Sequence, residues 1–345
     1  MSGEAPEVLI RADDGIGRIT LNRPHALHAL NTAMCAAIDE ALTAWAIDDA
    51  VRLVMIDHAE GTRGFCAGGD VRMVAQSGRG DGKAGQEFFA VEYRMNARIK
   101  RFPKPFIACL DGVTMGGGVG ISVHGSHRIA TENTLFAMPE TAIGLFPDVG
   151  GGWFLPRLDG EVGIWLALTG ARLKGRDVVA AGIATHFVPA AELAGVKAHL
   201  GQEDPDAVLA DFAGVDDAPS YAAHLDTINR CFGRDSVGEI FAALDAEGGW
   251  AAEQATILRT RAPLSMCVSL EQLRCGRAMT SFDNVMRMEY RIASRIIRTH
   301  DFSEGVAAVV EKRPEPAQWS PASVAGVTRD MIEPMFQPLP KELQL

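Results

Sequence analysis

The sequence has no CxxC pair: Cys35, Cys66, Cys109, Cys231, Cys267 and Cys275 stand apart, mostly in apolar surroundings. In a 345-residue chain that spacing argues against a disulfide framework and for free, buried thiols in a reducing compartment. No apolar run approaches the roughly 18 residues of a membrane span. The opening MSGEAPEV lacks the basic-then-apolar order of a signal peptide and the Arg/Ser richness of a transit peptide, so the expected location is cytoplasmic and no membrane partner is expected. Positive charge is scarce, 33 Lys+Arg against 44 Asp+Glu for a net −11. No nucleic-acid partner is expected, because such binding needs a basic face. An anionic small ligand stays compatible with a locally basic pocket. The histidines form no HxxxH or Cys/His ligand spacing, so no metal is expected. No G-x-S-x-G elbow is present, although a Ser-His-Asp triad in another order remains open.

What is present is apolar content of 47%, charged content of 22% and 36 glycines, an ordinary globular balance that excludes disorder, collagen and coiled coil. GRITLNRP, VRLVMIDHA and FIACLDGV read as strands closed by Gly, Pro or Asn. Between the first two, NTAMCAAIDEALTAWAIDD puts Met34, Ile38, Leu42 and Trp45 on one helical face. The order strand, glycine cluster, helix occurs twice, in VRLVMIDHAEGTRGFCAGGD and in PFIACLDGVTMGGGVG. An α/β domain follows. The expected layout is a catalytic core over 1–200, an acidic linker or helical excursion over 201–229, and a helical region over 230–345. The helical region is marked by SMCVSLEQLRCG and NVMRMEYRIASRIIRTH and ends in the Pro-punctuated KRPEPAQWSPASV, expected to wrap over the surface.

The two glycine clusters, Gly68-Gly69 and Gly116-Gly117-Gly118, stand at strand-to-helix junctions, where the first helical turn leaves N–H groups unpaired. One such cluster is commonly a tight turn. Two in equivalent places point to a pair of N–H donors converging on one oxygen. A dinucleotide site would need G-x-G-x-x-G, and GGGVG does not have that spacing. Downstream, Glu140 follows Met138-Pro139 and Asp148 follows Phe146-Pro147, both in apolar runs that raise a carboxyl toward the acid–base range. Helix capping by Glu140 and a turn at Asp148 are the alternatives. Glu92, in FFAVEYRMNARI, is a third candidate acid, with a solvated helix face as its alternative. His124 and His127 in SVHGSH are three apart and fit a polar helix face.

ITLNRPHALHALN, FCAGGDVR, GVTMGGGVGISVHGSHRIATENTLFAMPETAIGLFPDVGGGWFLPRL and ALTGARLKGRDVVAAGIATHFV together resemble the enoyl-CoA hydratase/isomerase (crotonase) superfamily. Within it the sequence is most similar to the 3-hydroxyisobutyryl-CoA hydrolase branch, and APLSMCVSLEQLRCG, MEYRIASRIIRTHDFSEGVAAVV and EKRPEPAQWSPA extend that similarity to the C-terminal part. The resemblance implies a spiral of repeated ββα units, a helical C-terminal region and an acyl-CoA thioester substrate. It gives the oxyanion hole to Gly69 and Gly117, with Gly68 and Asp70 in the same substrate-binding segment. Hydratases of the family place one Glu two positions after the GGG run and a second in the P-E pair. Here the first position is Gly120, the second is Glu140, and an acid, Asp148, stands where hydratases tend to have Gly.

That exchange removes half of the water-addition apparatus and keeps what thioester hydrolysis needs: an oxyanion hole and a carboxylate that activates water or acts as nucleophile. The resemblance therefore implies hydrolysis of a short 3-hydroxyacyl-CoA, with Glu140 as the main catalytic carboxylate, Asp148 as its partner near the carbonyl or the thiolate leaving group, and Glu92 near the substrate 3-hydroxyl. No metal or redox cofactor is implied, since coenzyme A is part of the substrate, and the pathway implied is valine breakdown. His25 and His28 replace the Lys and Asn common in RPHALHALN, which implies pH-dependent contact with the CoA phosphates and leaves Arg23 as the substitute cation. Hydratase or isomerase activity is one alternative, and a non-catalytic acyl-CoA-binding protein is another. A homo-oligomer, trimer or smaller, is expected, unless the extended C-terminal part covers the same surface within one chain.

Overall fold

The computed structural model describes residues 5–345. Among these residues nine strands form two sheets: β1 (Val8–Asp13), β2 (Ile16–Leu21), β3 (Leu53–His58), β4 (Phe106–Leu110), β5 (Val113–Met115), β6 (His127–Ala130), β7 (Leu135–Ala137), β8 (Leu173–Lys174) and β9 (His186–Phe187). The larger sheet runs β1-β2-β3-β4-β6-β9 and the smaller β5-β7-β8. Only β1 pairs antiparallel in the larger sheet; from β2 to β9 every pair is parallel. Parallel neighbours need crossovers, and these carry the helices and the two glycine clusters.

The described chain forms two compact units that interleave in sequence. One takes the described residues up to Gly69 with Arg94–Phe136 and Arg172–Pro219; the other takes Asp70–Tyr93, Ala137–Ala171 and Ser220–Leu345. The blocks expected from composition, 1–200, 201–229 and 230–345, are consecutive, whereas each unit draws on three separate segments.

The first unit holds the larger sheet. Period-two alternation sends Ile16, Leu53, Met55, Ile107, Cys109 and Ile129 to one side, where Val188, Leu193, Val196, Leu200 and Leu209 complete a buried cluster. On the other side lies the helix Thr32–Ala46, capped by Asn31 on the Met34 N–H at 2.9 Å. Its Met34, Ile38, Leu42 and Trp45 are buried, as the spacing predicts. Gly17 makes room for the indole: a Cβ there would lie 2.5 Å from the Trp45 ring.

The expected helical face at His124 and His127 is not formed. His127 opens β6, paired with Ile107 of β4, and His124 sits in the turn before it. Parallel pairing of HRIA overrides the three-residue spacing, and the His127 ring lies between the Ser126 hydroxyl at 2.9 Å and Asp206 at 2.8 Å.

The second unit is helical, and both C-terminal segments read as helices are helices, Pro263–Ala278 and Phe282–Ile296. The Pro-punctuated stretch is irregular and mostly exposed. It is tied down by Trp319 Nε1 on the Thr260 carbonyl at 3.2 Å and the Ser320 N–H on Asp301 at 2.7 Å. Among the described residues no helix is long and apolar enough to cross a membrane, and none of the six cysteines forms a disulfide.

Candidate active site

In the first unit the two glycine clusters lie side by side. The Cys66 N–H donates to the Val113 carbonyl at 2.8 Å and the Met115 N–H to the Cys66 carbonyl at 3.0 Å, which brings Gly68 alongside Gly116 and Gly117. Each glycine has its own reason. Gly68 has φ +119° and Gly116 φ +48°, conformations that disfavour a side chain. A Cβ on Gly118 would collide with the Cys66 carbonyl and lie 2.8 Å from Cys66 Cβ. Leu30 takes the Gly68 carbonyl at 2.8 Å, so the Gly69 N–H is not used in that ladder. The Gly117 N–H belongs to the first turn of the helix Gly117–Gly120, beyond reach of an intrahelical acceptor. These are the two N–H groups that the resemblance assigns to the oxyanion hole. Gly120, the position of the missing acid, is buried.

Arg23 is already engaged, with its Nε 2.8 Å from Glu7 and its Nη1 donating to the Ala29 carbonyl at 3.0 Å. His28 departs from the expected pH-dependent phosphate contact. Its ring is buried, Nδ1 accepts the Arg23 N–H at 2.9 Å and Nε2 meets the Thr62 hydroxyl at 2.8 Å. Burial, with His58 nearby, lowers its pKa to about 4, so it stays neutral and serves to shape the turn. His25 is exposed.

The acids gather in the second unit. Glu92 lies on the helix Lys83–Lys100 and is 2% exposed, which overturns the solvated-face alternative. Glu140 begins the 3-10 turn Glu140–Ile143 and is 5% exposed; Asp148 is 4% exposed. The turn after Glu140 is locked by the Thr141 hydroxyl on the Leu168 carbonyl at 3.0 Å. It closes at Gly144, φ +73°, where a side chain would strike the Asp301 and Phe302 backbone. Asp70 precedes the helix Val71–Arg79 without capping it.

Electrostatics separate these carboxyls. Burial, reinforced by the Asp148 charge, pushes Glu92 and Glu140 well above the usual carboxyl range, and neither Glu92 Oε1 nor Glu140 Oε2 has a partner among the described residues. Asp148 rises only to about 6, because the buried Tyr93 hydroxyl donates to its Oδ2 at 2.7 Å and its own N–H supports the charge. Of these three carboxyls Asp148, with its hydroxyl donor, is thus the most readily ionised, while Glu92 and Glu140 hold their protons more tightly, a division suited to acid–base work.

Three residues of this cluster were not singled out from sequence. Tyr93 adjoins Glu92 and looks like core aromatic packing. Glu289 and Gln272 lie on the two C-terminal helices, both fully buried, with the Glu289 oxygens accepting the Gly150 and Gly152 N–H groups at 2.7 and 2.8 Å. The available signal was spacing: Val285, Glu289, Ile292 and Ile296 form one stripe, with an acid where the pattern calls for an apolar residue.

A family model described as enoyl-CoA hydratase/isomerase matches residues 16–336. Curated relatives include the proteins named "3-hydroxyisobutyryl-CoA hydrolase, mitochondrial" of Xenopus laevis, 46% identical over 94% of this chain and 86% of that one, and of Homo sapiens, 43% identical over 97% and 89%. Among solved structures, a carnitinyl-CoA dehydratase from Mycobacterium thermoresistibile is 38% identical with TM-score 0.94, over 99% of both chains. An enoyl-CoA hydratase from Rhodobacter sphaeroides is 40% identical with TM-score 0.90, over 99% of this chain and 100% of that one. With a family model spanning nearly its whole length, and relatives and solved structures agreeing over that span, the chain belongs to the enoyl-CoA hydratase/isomerase family and has its crotonase-like fold.

Proposed function

We propose that this chain hydrolyses short 3-hydroxyacyl-CoA thioesters, 3-hydroxyisobutyryl-CoA foremost, to the free hydroxy acid and CoA. One observation carries the reading: position 120, which holds an acid in the family's hydratases, is a buried glycine, while a buried Asp148 accepts the Tyr93 hydroxyl. Addition of water across a double bond lacks its first carboxyl here. Attack at a thioester carbonyl needs only the groups that are present.

The developing oxyanion is assigned to the Gly69 and Gly117 N–H groups, a type of contact in which each donor is worth about 10²–10³ in rate. Water adds its oxygen to the carbonyl carbon and gives a proton to the Asp148 carboxylate. The carbon–sulfur bond breaks as the sulfur receives the proton that Glu140 holds. Return of the Asp148 proton to Glu140 restores the pair. Glu92 is assigned the substrate 3-hydroxyl, and Gly68 and Asp70 the bound ester. The reaction calls for no metal or redox cofactor, since coenzyme A arrives with the substrate. The finer proposals are a role in valine breakdown and a homo-oligomer, trimer or smaller. For the compartment, the word mitochondrial in the relatives' names weighs against the cytoplasmic expectation; cysteines outside any disulfide suit either reducing compartment.

The test is to incubate the pure protein with 3-hydroxyisobutyryl-CoA and a thiol reagent. CoA release is expected, and its absence removes the reading. Loss of crotonyl-CoA absorbance in place of thiol release establishes the hydratase alternative, in line with the enoyl-CoA hydratase from Rhodobacter sphaeroides. Tight ester binding with no turnover of any acyl chain establishes a binding protein.

A further inference from the structure

Two polar residues occupy core positions on the C-terminal helices. Phe282, Val285, Glu289, Ile292 and Ile296 follow each other at the steps of a buried helical stripe, and all five are buried. Gln272 stands likewise with Ser265, Ser269 and Gly276 on Pro263–Ala278. A buried acid in such a stripe is costly unless its oxygens are taken up. Here they are: Glu289 Oε2 accepts the Gly150 N–H at 2.7 Å, and Oε1 accepts both the Gly152 N–H at 2.8 Å and Gln272 Nε2 at 3.1 Å. The same Gln272 Nε2 donates to the Pro147 carbonyl at 2.8 Å. The pair therefore grips one segment at residues 147, 150 and 152, on both sides of Asp148.

That segment does not hold its shape unaided. Val149, directly after Asp148, has φ +51°, a genuine outlier for a β-branched residue that persists only where the surroundings over-determine it. The glycine run fits the same purpose. Gly150 has φ +86°, a Cβ on Gly152 would lie 3.0 Å from both Glu289 Oε1 and Gln272 Nε2, and a Cβ on Gly276 would collide with the Gly152 carbonyl. Two apolar side chains would fill the helix seam with less desolvation, so packing alone does not account for the polar pair.

We propose that Glu289, braced by Gln272, is the positioning residue that holds Asp148 against the Tyr93 hydroxyl, making the C-terminal helices part of the catalytic apparatus. The proposal rests on the reading of Asp148 as the partner of Glu140 in thioester hydrolysis.

Two variants of the full chain test it. Glu289→Met keeps the bulk and removes both acceptors, whereas Glu289→Gln keeps one. With 3-hydroxyisobutyryl-CoA, kcat of Glu289→Met is expected about 100-fold down with KM within about threefold, and Glu289→Gln in between. A readout independent of turnover is the phenol-carbon NMR resonance of Tyr93, assigned with Tyr93→Phe, which is expected to move in both variants and more in Glu289→Met. Wild-type kcat in Glu289→Met, or a lowered kcat with an unmoved Tyr93 resonance, overturns the proposal. Absence of CoA release by the wild-type chain removes the hydrolysis reading alone, and the Tyr93 resonance then decides the clamp by itself. If Glu289→Met fails to fold, Gln272→Met leaves Glu289 on Gly150 and Gly152. It is then expected to cost about 10-fold in kcat and to move the Tyr93 resonance in the same direction, and no change in either overturns the clamp.

Discussion

The Tyr93 hydroxyl donates to Asp148 Oδ2 at 2.7 Å where both residues are buried, and this bond sets the roles of three carboxyls. Burial raises Glu92, Glu140 and Asp148 alike. Only Asp148 receives a hydroxyl donor, and a donor stabilises the ionised form. Once charged, Asp148 raises Glu92 and Glu140 further. Asp148 is therefore the readiest of the three to ionise, and Glu140 holds its proton more tightly, the order on which the proposed hydrolysis draws.

Tyr93→Phe removes the donor and leaves the ring. The Asp148 pKa then climbs above about 6, so the acid limb of kcat/KM against pH moves to higher pH. A hydrogen bond to a charged group contributes about 1.5–3 kcal/mol, so the limb is expected to move up by about 1–2 pH units and activity at pH 7 to fall by about 2- to 15-fold. The measurement is the pH profile of thiol release. An unmoved limb means that a group other than Asp148 governs it.

Glu140→Gln keeps shape and polarity but cannot transfer a proton. Turnover is expected to fall by about 10³-fold, within the usual range for a general acid–base group, while calorimetric affinity for the CoA ester stays within a few-fold. Turnover close to the wild-type rate transfers the role to another carboxyl.

The sequence made much of this legible, for definite reasons. Val-, Ile- or Leu-rich runs closed by Gly, Pro or Asn became β2, β3 and β4, because short parallel strands need buried residues and a sharp exit. Glu140 and Asp148 were visible because an acid following Pro in an apolar run is chemically unusual. What stayed hidden depends on partners distant in sequence. His28 looked like an available cation until the Arg23 N–H and Thr62 claimed its ring nitrogens. Glu289 was not singled out, because its reason for burial lies far away in sequence, at Gly150 and Gly152. His127 followed a helical spacing, but pairing with β4 made it part of a strand.

Gly118→Ala tests the glycine run of the first unit. The new methyl would meet the Cys66 carbonyl and lie 2.8 Å from Cys66 Cβ, so the turn Gly117–Gly120 must shift away from the segment at Cys66. Overpacking of this kind costs about 1–3 kcal/mol, read as a lower thermal midpoint. Displacing the Gly117 N–H should also lower kcat by about 10²-fold with little change in KM. Lost stability with unchanged kcat would take the oxyanion role from Gly117.

The buried acids also fix how stability depends on pH. In the unfolded chain an aspartate ionises near the ordinary 3.8, whereas folded Asp148 holds its proton up to about 6. Glu289 goes from 4.5 to about 8, burial outweighing the Gly150 and Gly152 donors. Between these values the unfolded state binds fewer protons than the folded one, so stability falls as pH rises. The contribution is complete below the unfolded values and is lost as pH passes through about 6 for Asp148 and about 8 for Glu289. For Asp148 alone the loss is about 3 kcal/mol. Thermal midpoints taken from about pH 5 to about pH 8 should therefore decline, and Asp148→Asn, which has no proton to release, should decline less steeply. Parallel curves for the two proteins would mean that Asp148 titrates alike in both states, against the burial and the Tyr93 bond that define its place here.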